Sequence, residues 1–260
     1  MDTILSPTYD SFTKYKHIKF IVSSRNKPTN EDILNHLSVE YDFLPTNQIE
    51  SVYGFTEEWI PMYGGRSFKE GYNLTDQNLA DLYNAGIAYR IPLTNLLTTP
   101  DDYKQCMPFL DKHHRDLNSV IVSNKKIAEW IKEDFPRYKI ECSTIRNYTP
   151  PQIDKILDQG LFDSVVLSAR FNPSDEIEKI KNKDKVIVFA NSKCGWTCMT
   201  PTCYMQVSQF NKKIPETHEC SKGGSFDKVI FNIDRLVDMG FVQFKLTPLT
   251  EAVGKTLEII

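Results

Sequence analysis

The sequence lacks long apolar runs, basic blocks and a signal-like start. No stretch reaches the roughly 18 apolar residues that a membrane-spanning helix requires, so we expect no membrane association. The opening segment MDTILSPTYDSFTKYK has neither the basic start nor the apolar core of a secretory signal. A formal net charge of −3, with lysines and arginines mixed among acids, argues against non-specific binding to nucleic acid. These absences together predict a cytoplasmic protein.

The motifs of several enzyme classes are also missing. Neither G-x-G-x-x-G nor G-x-x-x-x-G-K-[ST] follows an apolar strand-like run, which argues against dinucleotide and P-loop proteins. There is no H-E-x-x-H and no G-x-S-x-G. Cys194 as a nucleophile would need a general base, and the nearest histidine in sequence is His218. Hydrolysis is therefore the least supported activity.

Cysteine is scarce, with six in 260 residues, yet three of the six lie in KCGWTCMTPTC, residues 193–203. A fourth, Cys220, follows Cys203 after sixteen intervening residues. In a reducing compartment such a cluster favours a metal site over disulfides. Four thiolates suit either a [4Fe–4S] cluster or a tetrahedral zinc ion. The second half of the segment lacks a tight Cys-x₂₋₄-Cys pair, which favours the [4Fe–4S] cluster, with zinc and unligated thiols as the alternatives. Cys142 lies in the fifth predicted strand and Cys106 on a helix face near Met107, and both are expected to be buried structural thiols.

Hydrophobic periodicity predicts an α/β protein in which strands and helices alternate. Short β-branched runs predict eight strands, at residues 17–24, 49–55, 87–93, 118–124, 138–144, 162–168, 185–192 and 241–247. Amphipathic segments between them predict helices, including 75–86, 125–135, 150–160, 174–183 and 226–240, and the tail 251–260 is a candidate for the last. This pattern favours a (β/α)₈ TIM-like barrel over an open doubly wound sheet. We expect a single barrel domain, residues 1–260, with a core at 17–247 and a cysteine-rich insertion at 194–225 after the seventh strand.

In such a barrel the functional groups follow the carboxyl ends of the strands. The side chains there are mainly basic or amide-bearing, with no carboxylate among them, which suits an anionic or carbonyl-bearing ligand. The residues expected to bind the substrate or to act on it are Tyr63, Arg66, Asn95, Thr144, Arg146, Asn147, Arg170 and Lys245. The two adjacent histidines at 113–114 end a charged helix and are expected to face solvent.

Four segments, in order, resemble the peptidase U32 family over roughly residues 75–250. NSVIVSNKKIAEWIKEDFPRYKIECSTIRNY is similar to the region where that family has a strand, a helix and then -S-T-Q-x-N-. FDSVVLSARFNPSDEIEKI resembles its -R-V-V-L-x-R-E- strand and the following helix. VIVFANSKCGWTC stands where the family has -V-F-V-H-G-x-x-C-, and IDRLVDMGFVQFKLTPL where it has -L-x-x-x-G-V-x-x-x-K-I-E-G-R-. The chain looks like a divergent short member with a substrate of its own.

The resemblance implies a barrel that holds a [4Fe–4S] cluster and supports oxygen-independent hydroxylation, in ubiquinone synthesis or on tRNA and rRNA bases. It implies that Cys194 is a cluster ligand, and it makes Cys198, Cys203 and Cys220 the candidates for the other three. The residues that match the family's motif positions at the barrel rim are Ser143, Thr144, Asn147, Arg170 and Lys245. Expected partners are a small-molecule or single-stranded RNA substrate and a second protein in a heterodimer. The alternative function is a non-enzymatic barrel that binds a ligand and carries a structural zinc loop.

Overall fold

Eight parallel strands close into a barrel in the computed structural model, which describes residues 14–198, 202–214, 229–248 and 258–259. The barrel strands are β1 (Lys19–Ser23), β2 (Ile49–Tyr53), β3 (Ala88–Leu93), β4 (Ser119–Val122), β5 (Lys139–Cys142), β6 (Ser164–Val166), β7 (Val186–Phe189) and β8 (Gln243–Lys245). Each strand pairs with the next in sequence, and β8 pairs with both β7 and β1 to close the ring. All eight predicted strands are confirmed, each somewhat shorter than its apolar run. The fold is the predicted (β/α)₈ TIM-like barrel.

Helices follow most of the barrel strands and cover its outer face. They are α1 (Ile33–Glu40), α2 (Asp76–Asn84), α3 (Pro100–Lys112), α4 (Lys125–Asp134), α5 (Pro150–Leu157), α6 (Cys194–Thr197), α7 (Thr202–Asn211) and α8 (Ile233–Asp238). The starts of α2 and α3 are fixed by capping boxes, in which Thr75 pairs with Asn78 and Thr99 with Asp102. These reciprocal bonds satisfy backbone N–H groups that a first helical turn leaves without partners.

The barrel strands are buried on both faces, as their unbroken apolar sequences predict. Every residue of β3, β4 and β7 is buried. The apolar side chains of strands and helices form one continuous hydrophobic core, to which Cys106 and Cys142 belong, so both are buried thiols as expected. The prediction for His113 is wrong. It packs against Phe109, with ring centroids 4.6 Å apart, and is buried.

Two predicted helices differ in the structure. Residues 174–183 form a 3₁₀ helix at Asp175–Lys179, and a second one follows at Lys183–Lys185. The carboxylate of Asp154 accepts hydrogen bonds from the backbone N–H groups of Lys181 and Asn182, each at 3.1 Å. Because these two backbone N–H groups donate to Asp154, they do not donate to carbonyl oxygens within a helix. The predicted α-helix therefore does not continue through them.

The described part of the predicted helix 226–240 contains a strand and a shorter helix. Val229–Ile230 pairs antiparallel with Asn191–Ser192, and Glu258–Ile259 pairs parallel with it, which makes a second sheet of three short strands. The helix α8 starts only after Asn232, whose side chain accepts from the backbone N–H of Arg235. The prediction of a helical tail is wrong for Glu258–Ile259. Within the described residues, no helix combines the length and the apolar character needed to cross a membrane.

Candidate active site at the barrel mouth

A cavity of about 310 Å³ opens at the carboxyl ends of the barrel strands. Its floor and walls come from the last residues of the strands and from the loops that follow them. These residues include Ser23, Tyr53, Thr94, Ser143, Thr144, Asn147, Ser168, Phe189, Lys245 and Thr247. Nearly every strand therefore contributes to one site, as the barrel topology predicts.

The charged side chains that line this cavity are all cations in the described part of the chain. They are Arg25, Arg66, Arg170, Lys193 and Lys245. No aspartate or glutamate lines the cavity there, although the whole chain has a net charge of −3. A concave, partly dry site with charges of one sign raises the local concentration of oppositely charged molecules. The cavity is therefore suited to an anion.

Arg66 reaches the cavity from the loop after β2. Its guanidinium lies 4.7 Å from the ring centroid of Phe55, in a cation–π contact that fixes the side chain. Burial lowers the pKa of Arg66 to about 10, and the positive charge of Arg25 adds to this effect. Arg25 is exposed and Arg66 is half-buried, and an anion beside two such like charges reduces the repulsion between them.

A buried ion network that involves four strands lies beneath the cavity floor, and Lys245 is its member that lines the cavity. The Lys245 ammonium donates a 2.7 Å hydrogen bond to Oε1 of Glu141, and Arg90 pairs with the other carboxylate oxygen. Arg90 also donates to Ser51 Oγ and to Glu50 Oε2, each at 2.6 Å. Lys245 lies 4.6 Å above the ring of Tyr53. The network therefore crosses the barrel interior from the cavity to the half-exposed Glu50.

Ionisation within this network depends on all three charged groups. Burial acts to raise the pKa of Glu141, but the adjacent charges of Lys245 and Arg90 outweigh it and hold that pKa below its usual range. Burial lowers the pKa of Lys245, while Glu141 opposes the shift. Burial also raises the pKa of Tyr53 to about 12, so its phenol is neutral near pH 7. With Glu50 included, the network holds two carboxylates and two cations, and the charged group that it presents to the cavity is the Lys245 ammonium.

One wall of the cavity carries thiols. Cys194 and Cys198 line it together with Tyr204, and none of the described cysteines is disulfide-bonded. Burial raises the pKa of Tyr204, and the nearby Cys194, Cys203 and Cys198 raise it further, so all three sulfurs lie within electrostatic range of the same phenol. In the ranges that the structure covers, no three potential ligands are close enough to hold a metal ion. Cys220 lies outside the described residues.

The segment that bears these thiols extends across the mouth and is bonded to its opposite side. Near the end of α7, Asn211 accepts a 2.7 Å bond from Phe68 N and donates to the carbonyl oxygens of Tyr63 and Arg66. Its own carbonyl accepts from Trp59 Nε1 at 2.9 Å. These partners all lie in the loop after β2, whereas the segment begins after β7. In the ring of eight strands β2 lies three positions from β7, so α7 forms a bridge between well-separated parts of the cavity rim.

Most of the sequence-predicted residues meet at this cavity, and some do not. Those that line it are Arg66, Thr144, Asn147, Arg170, Lys245, Cys194 and Cys198. Tyr63 is instead a core residue, fully buried, with its hydroxyl 2.9 Å from Thr56 Oγ1. Asn95 is also buried, and its amide bonds the carbonyls of Tyr63 and Ser208 and the backbone N–H of Leu97. Neither has a polar atom left for a substrate.

Arg146 and Cys203 also lie off the cavity wall. Arg146 follows Ser143 in a 3₁₀ turn that directs its side chain outward, where it lies 5.7 Å from the ring of Tyr148. Asn147, which ends this turn in the left-handed conformation at φ 52°, does reach the cavity. The turn therefore separates two neighbours that the sequence suggested would act together.

Sequence reasoning missed Glu141, Thr94 and Tyr204. Glu141 was predicted only as part of an apolar strand. A carboxylate between Ile140 and Cys142 in such a strand indicates a buried ion pair, because buried carboxylates require cationic partners. Thr94 directly follows β3 and could have been found by the same strand-end rule that found Asn95.

The comparisons with known proteins support this architecture. No protein-family model matches the chain, and no curated protein matches it. Among solved structures the chain is similar to the U32 peptidase Mk0906, with a TM-score of 0.59 and 12% sequence identity. The alignment covers 92% of this chain and 94% of that one. The fold is U32-like. At this level of identity the similarity establishes the fold alone, and the site has to be interpreted from its own residues.

Proposed function

We propose that this protein binds a small anionic molecule at the barrel mouth and carries an iron–sulfur cluster that takes part in its redox modification. The observation that carries the proposal is the joint lining of one cavity by five cations and two thiols. Cations supply affinity for an anion, and thiolates are the usual ligands of iron–sulfur clusters. The sequence resemblance implies a reaction class, hydroxylation without O₂, and the U32-like fold supports only the architecture that the resemblance implies. With water as the oxygen source, such a reaction replaces a C–H bond of the substrate by a C–OH bond and releases two electrons and two protons, so an external two-electron acceptor is part of the proposal.

The thiols fit a cluster in their chemistry, and two of them, Cys194 and Cys198, line the cavity. Cys194, Cys198 and Cys203 approach one phenol at the edge of the cavity, and all three are at least partly accessible. They belong to one segment of the chain, and Cys220, as the fourth ligand, would complete the set. The described thiols do not yet form a closed ligand group, so cluster binding would draw them together. When bound, a [4Fe–4S] cluster supplies one-electron transfer next to the substrate.

The chain's own residues would bind and orient the substrate. Arg66, Arg170 and Lys245 present positive charge from three sides of the cavity, and Thr144 adds a hydroxyl group. Tyr204 of α7 lines the cavity, so this helix encloses part of it. Enclosure of this kind strengthens each electrostatic contact inside a site. A cavity of about 310 Å³ suits a small molecule or a single flipped base rather than a folded nucleic acid.

Hydrolysis has little support from the described residues. A cysteine nucleophile requires a general base within hydrogen-bonding distance. No histidine, aspartate or glutamate lines the cavity next to Cys194 or Cys198 within the ranges that the structure covers. We therefore do not propose a peptidase function for this chain, although the similar solved structure is named as a peptidase.

Metal analysis after anaerobic purification tests the proposal. We expect a brown protein with broad absorption near roughly 400 nm and about four irons and four sulfides per chain. Cys194→Ala should lose most of the iron and the colour. Cys106→Ala, which removes a buried core thiol away from the cavity, should keep both.

Two results would contradict the proposal. Stoichiometric zinc without colour would support the alternative of a ligand-binding barrel with a structural zinc loop. Full iron content in Cys194→Ala would show that this cysteine is not a ligand.

A further inference from the structure

Two polar atoms in the cavity wall are buried and have no hydrogen-bond partner within the described part of the chain. They are Nη1 of Arg66 and Oγ1 of Thr94. Thr94 is only 3% exposed, so water does not readily satisfy its hydroxyl. Buried polar side-chain atoms nearly always have a partner, because leaving one without a partner is energetically costly. Two such atoms on the same cavity indicate that a ligand supplies the acceptor.

Glycines bring the two side chains to the same side of the mouth. A Cβ atom on Gly64 would lie 2.4 Å from the carbonyl carbon of Thr94, so only glycine allows the loop after β2 to lie this close to β3. Gly65 has φ +80°, and a Cβ there would lie 3.1 Å from Thr94 Oγ1. Gly54 likewise leaves space for Arg66, since its Cβ would lie 3.2 Å from Nη2. These glycines let the loop that carries Arg66 lie against Thr94, and both side chains line the same cavity.

The missing partner must be an acceptor that carries negative charge. Both orphan atoms can donate, and the positive charge of Arg25 acts on Arg66. The guanidinium is also fixed against Phe55, so its donors are pre-oriented. We propose that Arg66 and Thr94, assisted by Arg25, form an oxyanion subsite that holds a carboxylate or phosphate group of the ligand. This inference rests on the proposed function, because the subsite is part of the cavity in which that function would take place.

The position of the subsite sets the orientation of the ligand. Arg66 and Thr94 follow β2 and β3, whereas Cys194 and Cys198 follow β7 on the far side of the barrel. Apolar side chains, among them Phe55, line the same cavity. A ligand anchored at the subsite therefore extends its remaining body over an apolar surface towards the thiol wall. The substrate class is a small oxyanion with an apolar body.

Calorimetric titration with two simple probes, inorganic phosphate and benzoate, tests the subsite. The main variant is Thr94→Val, which removes the hydroxyl but keeps the shape. We expect it to weaken the binding of the preferred probe on the order of tenfold or more, because a hydrogen bond to a charged group is lost. Its urea midpoint should stay equal to that of the wild type or rise, because a buried hydroxyl without a partner has been removed. Arg66→Met should weaken binding at least as much, and Lys104→Met, which changes a 74% exposed lysine on α3, should change nothing.

The outcomes separate this inference from the proposed function. Unchanged affinity in Thr94→Val, or a fall in its urea midpoint equal to that expected for a lost internal hydrogen bond, would overturn the subsite. Preference between the probes decides between a carboxylate and a phosphate. If the variant effects appear in a protein that contains no iron, the subsite stands and the iron–sulfur proposal fails. If the protein contains iron but binds neither probe, the subsite is wrong and the cluster is unaffected.

Discussion

Glu141 is the residue on which the charge of the cavity floor depends. It is 1% exposed and lies between Lys245 and Arg90, with which it forms its hydrogen bonds. Neither cation has a second buried carboxylate in the described chain, since the other acidic partner, Glu50, is 40% exposed. Without Glu141, Lys245 and Arg90 would repel each other in a place with little water.

Replacing Glu141 by Gln should therefore destabilise the protein strongly. We expect the free energy of unfolding at pH 7 to fall by about 3–5 kcal/mol, which is typical when one partner of a buried ion pair is removed. Urea unfolding of the whole protein measures this. Glu50→Gln is the matched control, because it removes an exposed partner of the same arginine and should cost less than about 1 kcal/mol.

The same variant should acquire a characteristic pH dependence. Without Glu141 the pKa of Lys245, already lowered by burial, falls further below 10.5. Between this folded-state pKa and 10.5 the unfolded chain binds more protons, so stability rises with pH. The deficit of Glu141→Gln relative to the wild type should thus shrink as pH increases towards 10. A deficit that stays constant with pH would show that Lys245 does not depend on Glu141.

At the residue scale, the sequence predicted the cations of the cavity but not Glu141, the carboxylate that accepts a hydrogen bond from Lys245. Arg170 and Lys245 were found because they lie at strand ends, which meet at one face of a barrel, and Arg66 because it lies in a long loop after a strand. Glu141 was not found because its partners are 51 and 104 residues away. Tyr63 was misplaced since an aromatic side chain in a Gly-rich loop looks like a ligand contact, whereas the closed fold turns it into the core.

The helix α7 is the element that links the thiol-bearing segment to the rest of the mouth. Asn211 is its main attachment, with one side-chain acceptor and two side-chain donor contacts to the loop after β2. Asn211 is buried, so these bonds are shielded from water. This single side chain therefore couples the loops after β2 and β7.

Asn211→Ala should release this attachment. The loss of three hydrogen bonds predicts a fall of about 3 kcal/mol in the free energy of unfolding, at roughly 1 kcal/mol for each bond. The backbone amide of Phe68 should also lose protection in hydrogen exchange. Gln209→Ala, a half-exposed change on the same helix, should stay within about 1 kcal/mol of the wild type. Equal protection of Phe68 in both variants would contradict the bridging role of Asn211.

Secondary structure could be predicted where local pattern and tertiary contacts agree. The apolar strands and several amphipathic helices, such as α2 and α4, were evident from sequence. Residues 174–183 were not, because Asp154, far away in sequence, captures the backbone of Lys181 and Asn182. The strand Val229–Ile230 was likewise hidden in a helical pattern, since only its pairing with Asn191–Ser192 makes it a strand.

On the scale of the whole molecule, charge is distributed unevenly. The chain has a net charge of −3, whereas the mouth collects five cations. Long-range attraction by such a site is screened by salt, with a Debye length of about 10 Å at 0.1 M ionic strength. At low ionic strength, anionic ligands should therefore be attracted to the mouth more strongly than to the rest of the surface.

The association rate of benzoate should accordingly depend on salt. We expect this association rate to fall several-fold when the ionic strength rises from about 0.02 M to about 0.5 M, as for electrostatically steered association. Relaxation kinetics can measure this rate, and benzamide serves as the uncharged analogue that should show little dependence. Parallel salt dependence for the two molecules would contradict steering by the mouth.

Closure of the barrel through β8 has a consequence for how the chain reaches its native state. Lys19 on β1 pairs with Gln243 on β8, so the ring is sealed by strands from distant parts of the chain. Until β8 arrives, β1 and β7 both expose unpaired edges, and Arg90 and Glu141 have no Lys245 to complete their network. Loop-closure entropy opposes contacts of such long separation and makes them slow to form. The last stage of folding therefore assembles the ring, its charged interior and the ligand cavity together.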